Sequence, residues 1–139
     1  MIAIDGHLPK ALGISRKELK SAAEYFAMRS SRRVRIPFRD IAVILHGDDD
    51  SAAVHAAIMN DPSPTDVITQ PYSPMPGEAD GIYGEIYVNT DRAAKLGGRK
   101  ELLLYVAHGM DHLSGADDHC EKDYRAMRRR ELGWIASLK

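Results

Sequence analysis

Two histidines four residues apart, His108 and His112, carry the clearest chemistry in this 139-residue chain. Side chains at i and i+4 of an α-helix leave the same face one turn apart, so two imidazole nitrogens can reach one metal ion at about 2.0–2.1 Å. A helix cannot curl around the ion, so a third ligand has to come from the chain that follows. Gly115 stands where a helix-ending residue is expected, and Asp117, Asp118 and His119 come directly after it. Two helical nitrogens and one donor from the turn leave a fourth coordination position open, which is the pattern of catalytic rather than structural zinc. Solvated histidines on a polar helix face meet the same spacing, and it is the composite from His108 to His119 that separates the two readings. Cys120 is one more potential ligand, although an ordinary thiol is favoured there. Gly109 occupies the position that holds the general-base glutamate in HExxH peptidases. Asp111 and Asp117, with Glu85 and Tyr87, are the weak candidates for a base or for a group that orients an imidazole.

These residues need a scaffold, and hydrophobic spacing supplies one. The pair lies on a helix expected from about Lys100 to Leu113, with Leu103, Val106, Met110 and Leu113 as its apolar stripe. A last helix is expected from about Cys120 to Leu138, with Tyr124, Met127, Trp134 and Ile135 available for burial. Ser15 and Glu18 form a capping box ahead of a helix over Arg16–Met28. Asp50 or Ser51 can cap another, its inner face made of Val54, Ala57 and Ile58. Asn89–Asp91 starts a short helix that Gly97-Gly98 stops. Strands are expected at Ile41–Leu45, Thr65–Thr69 and Tyr83–Asn89, with loops at Asp61–Pro64 and Pro71–Gly81. Helices and a few strands without strict alternation predict an α+β fold.

Length and composition narrow the setting. A chain of this size fits one domain over residues 1–139, able to bury roughly two-thirds of its unfolded surface. At 44% hydrophobic and 28% charged it reads as globular. No apolar run approaches the roughly 20 residues of a membrane span, and the N-terminus lacks the pattern of a secretory signal. A cytoplasmic location without membrane partners is the expectation, and the single cysteine excludes an intrachain disulfide. With 19 basic and 20 acidic side chains, any claim on nucleic acid has to be local. Two arginine clusters qualify, one through Arg29, Arg32, Arg33, Arg35 and Arg39, the other through Arg125, Arg128, Arg129 and Arg130. Solvated surface and phosphate binding are equally open readings of both.

Three segments in order, TDVITQPY from Thr65, GEIYVN from Gly84 and HGMDHLSGADDH from His108, resemble the YbeY-type endoribonucleases. The resemblance runs from about Ile41 to the C-terminus. It implies a small mixed four-stranded sheet packed with about five helices and one Zn2+ per chain. It also implies action on single-stranded or ribosomal precursor RNA at the small ribosomal subunit, in ribosomal RNA maturation and ribosome quality control. Four departures stand out. The family's third ligand falls ten residues after the first histidine, at Asp118, with His119 one residue late; carboxylate oxygen is an acceptable donor, which favours Asp118. Asp111 stands where the family usually has Leu, and Gln70 where it has Phe. The stretch between Asn60 and Thr65 is short and lacks the arginine of many members. Competing readings are a ribosome-associated binding factor without catalysis and a zinc-dependent peptidase, the latter disfavoured by Gly109.

Overall fold

The computed structural model describes residues 1–59 and 65–138. Four strands form one mixed sheet in the order β1-β2-β4-β3. They are β1 (Ile2–Gly6), β2 (Phe38–His46), β3 (Val67–Tyr72) and β4 (Ile82–Asn89). β1, β2 and β4 run parallel, and β3 lies antiparallel against β4 as an outer strand. Five helices complete the α+β fold: α1 (Arg16–Val34), α2 (Asp48–Met59), α3 (Thr90–Leu96), α4 (Arg99–Leu113) and α5 (Glu121–Ala136).

α4 is the element around which the rest is arranged, packing against α1, α3, α5, β3 and β4. From Leu102 to Leu113 every residue is buried except His108 and His112. The expected stripe of four apolar residues is therefore part of a wider buried surface, as for a helix enclosed on nearly all sides. Gly109 permits the closeness of the sheet, since a Cβ there would lie 2.5 Å from Ile86 Cγ2 of β4. A glutamate base at that position has no room.

The capping box forms as expected, with Glu18 N–H donating to Ser15 Oγ at 3.0 Å and Ser15 N–H to Glu18 Oε1 at 3.2 Å. α1 runs six residues past its expected end at Met28. Apolar spacing stops there, but Ser30 is buried and Arg33 reaches across to Asp111, so tertiary contacts hold the last turns. α2 begins at Asp48, ahead of the expected caps, because the Asp48 N–H is met by Asp91 of α3 at 2.9 Å. Ser51 is buried and exchanges hydrogen bonds with the Thr65 backbone instead of capping. The inner face of α2 is shallower than its spacing suggests: Val54 and Ile58 are partly buried and Ala57 is exposed.

β1 has no counterpart among the expected strands. It is a five-residue strand at the sheet's other edge, and Arg16 of α1 donates to its Ile4 carbonyl at 2.7 Å and also to that of Gly6. β3 is displaced from the expected Thr65–Thr69 and includes Pro71 and Tyr72, which the expected loop would have held. An outer strand tolerates a proline because one row of its N–H groups has no strand partner. Asn89 caps α3 through its side chain as expected. Tyr124 of α5 is exposed, whereas Met127 and Trp134 are buried, Trp134 stacking on Phe26 of α1. The loop expected over Asp61–Pro64 lies outside the described residues. Among the described residues no helix is long and apolar enough to cross a membrane.

Candidate metal centre

His108 and His112 leave the one open stripe of α4, and their Nε2 atoms face each other at 3.0 Å. The chain after α4 turns back through Gly115, whose φ of 100° is a backbone conformation that favours glycine. That reversal brings Asp118 Oδ2 to 3.9 Å from His108 Nε2 and 3.8 Å from His112 Nε2. Donors arranged tetrahedrally at about 2.0–2.1 Å from zinc stand roughly 3.3 Å apart, so the observed triangle needs only small shifts to close on an ion.

The protonation pattern suits the same purpose. His108 Nδ1 is 2.8 Å from Glu131 Oε2, and His112 Nδ1 is 3.0 Å from the Ala116 carbonyl. With the ring proton on Nδ1 in each case, both Nε2 lone pairs point at one spot, an arrangement a cation there would relieve. Burial pushes the His108 imidazole down, but the hydrogen bond and charge of Glu131, helped by Asp118, outweigh it and leave the group above its ordinary value. Burial lifts the Glu131 carboxyl above the usual carboxylate range; His108 opposes that rise and the neighbouring Asp111 adds to it.

Of the sequence candidates, then, His108, His112 and Asp118 come together, with one donor atom from each inside 4.8 Å of the others. His119 does not join them: its side chain is 86% exposed and pairs with Asp117 at 2.6 Å. Asp117, half exposed, is spent on that pair. Cys120 is an exposed thiol at the start of α5. Asp111 neither orients an imidazole nor faces water. It is fully buried, and Arg130 grips it through Nε at 3.1 and 3.2 Å and Nη2 at 2.9 Å. The carboxylate that does orient an imidazole is Glu131, missed in the sequence because it lies 23 residues from His108 in a charged helix. Glu85 accepts hydrogen bonds from Tyr72 and Tyr87, and Tyr87 is pushed up to about 12 by burial and by Glu85.

The donors open onto a groove of about 340 Å3 lined by Thr65–Thr69, His55 and Met59. Ser51 and Asn89, both buried, fix one wall by hydrogen bonds to the Thr65 backbone. A larger cavity of about 480 Å3, between α1 and the end of the chain, is remote from these donors. Glu131→Gln keeps the side chain's shape and removes its charge. Zinc affinity, read by competition with a chelator, is expected to fall about 10–100-fold. An unchanged affinity would mean that the Glu131 contact does not act on the centre.

Fold and site define a class: an α+β protein with a helix-borne histidine pair and a turn carboxylate gathered at the mouth of a groove. The family model for the endoribonuclease YbeY matches residues 9–139. The chain belongs to that family. Among its relatives, the endoribonuclease YbeY of Kineococcus radiotolerans is 32% identical, the match covering 91% of this chain and 80% of the relative. That of Protochlamydia amoebophila is 33% identical over 76% of this chain and 70% of the relative. The solution structure of TM1509 from Thermotoga maritima superimposes with a TM-score of 0.59 at 26% identity, covering 97% of this chain and 89% of that one.

Proposed function

We propose that this chain is a zinc-dependent endoribonuclease that cuts single-stranded RNA in the maturation and quality control of ribosomal RNA, in the cytoplasm and at the small ribosomal subunit. The observation that carries the reading is the convergence of His108, His112 and Asp118 on one point that opens into a groove, in a chain of this family. Two imidazole nitrogens and one carboxylate oxygen are a donor set that suits zinc. A zinc ion held there supplies Lewis-acid polarisation of a phosphoryl oxygen and lowers the pKa of water.

The chain's own groups do the rest. Glu131 and the Ala116 carbonyl hold the two imidazoles in one tautomer and orientation. As an outer strand, β3 borders the groove with main-chain groups able to bond an extended polynucleotide. Gly109 removes the base on which a peptidase of the HExxH type depends, and neither Asp111 nor Asp117 lines the groove. Proton transfer from the attacking hydroxyl or water falls to His55 or Asp66, the other titratable side chains among the described lining residues.

The test is a zinc-loaded preparation assayed on single-stranded RNA and on ribosomal precursor RNA. Cleavage is expected with wild type and none with His112→Ala. A fully loaded wild-type chain that cuts neither RNA, yet binds the small subunit, would make it a binding factor.

A further inference from the structure

The two arginine clusters, nearly a hundred residues apart in sequence, contribute to one place. Arg29, Arg32 and Arg33 of α1 and Arg130 of α5 line a cavity of about 350 Å3 with Trp134. Three other members are engaged elsewhere: Arg39 donates to the Asp80 carbonyl, Arg125 pairs with Glu121 and Arg128 covers Tyr124. We propose that Arg29, Arg32, Arg33 and Arg130 form a phosphate-binding pocket that holds the RNA backbone next to the metal centre, an inference that rests on the ribonuclease reading above.

Charge is the first argument. Among the described residues, Asp111 is the only carboxylate that contacts these four guanidiniums, which leaves three positive charges uncompensated around one cavity. The chain as a whole is nearly neutral. Gathering like charges in a concave site raises the local potential and favours an anion there over dispersed counterions.

Order is the second. Asp111, buried beneath the arginines, fixes Arg130 by three hydrogen bonds, while Arg33 Nη2 bonds Ser114 Oγ at 2.9 Å and reaches Asp111 at 3.5 Å. Those bonds use one edge of each fork. Nη1 of Arg130, and Nη1 and Nε of Arg33, keep their N–H groups for another acceptor, and Arg32 has no partner among the described residues. Planar forks already held in place suit phosphate oxygens, because little side-chain freedom is given up on binding.

Position is the third. Asp111, which Arg130 holds, adjoins His112 on α4, and Arg130 adjoins Glu131 on α5, so α5 both lines the pocket and supplies the partner of His108. A polynucleotide entering the groove can place a neighbouring phosphate on the arginines.

The experiment uses the zinc-loaded chain and a cleavage-resistant 2′-O-methyl phosphorothioate oligonucleotide. Arg29→Gln with Arg32→Gln removes two charges without exposing Asp111, and melting temperature and zinc content check that the fold and centre persist. Affinity is measured between about 50 and 200 mM salt. The slope of log K against log salt is expected to flatten by about 0.7 for each phosphate that is no longer neutralised. At low salt, affinity is expected to weaken at least about fivefold, with the double lysine variant retaining most of the slope. An unchanged slope in the glutamine variant overturns the pocket, and leaves the ribonuclease reading standing if wild type cleaves RNA. A flattened slope in a chain that never cleaves RNA overturns the ribonuclease reading and supports the pocket.

Discussion

His108→Ala and His112→Ala are each expected to lose stoichiometric zinc, as metal analysis after dialysis would read it, and to lose RNA cleavage with it. The loss should exceed the 10–100-fold that follows from disturbing a group behind a ligand, because one of three donors is gone. Asp118→Ala should behave in the same way, while His119→Ala, which removes an exposed ring paired to Asp117, should keep the metal. Acid should release the ion, since protons compete for the same nitrogens. Burial opposes the His108 proton, but Glu131 and Asp118 outweigh burial and hold it above the ordinary imidazole value. Release should therefore begin at a higher pH than for an unperturbed histidine. Full occupancy in either histidine variant would put the centre elsewhere.

Arg130→Met is expected to produce the largest loss of stability. It strips three hydrogen bonds from a carboxylate with no exposure, leaving only Arg33 at 3.5 Å and its partner Ser114 nearby. Breaking a buried ion pair from one side costs about 3–5 kcal/mol, because the remaining charge cannot reach water. For a domain of this size that is a fall in Tm of roughly 10–20 °C. Asp111→Leu should cost less, since Arg130 and Arg33 are 24% and 36% exposed and can turn outward. Combining both changes should recover much of the loss, and the double-mutant cycle isolates the coupling. Additive losses would show that the pair holds nothing together.

The sequence alone was enough for the parts of this protein built from near neighbours. A helix brings i and i+4 together whatever surrounds it, so His108 and His112 could be paired on paper. A glycine after the helix limits the following ligand to a few residues. The Ser15–Glu18 capping box and the Asn89 cap are likewise local, and both form as expected. The α+β class follows from periodicity, and the mixed four-stranded sheet from resemblance. The displaced features are those in which a distant contact outweighs local spacing. The last turns of α1 depend on Arg33 meeting Asp111, 78 residues away, and the start of α2 on Asp91. β1 carries a short pattern whose meaning comes from pairing with β2.

The same division runs through the site. Asp118 and His119 are adjacent in the chain, and only the backbone reversal at Gly115 brings the one to the histidines and leaves the other in solvent. Asp111 sits between two donors in sequence but points to a different side of α4, where helix geometry alone cannot say what it will meet. Tertiary packing put Arg130 there, and put Glu131 beside His108. Charged residues on α5 look alike in sequence because their roles are set by the partner across the helix interface, and burial, which makes a carboxylate seek a partner, belongs to the folded chain.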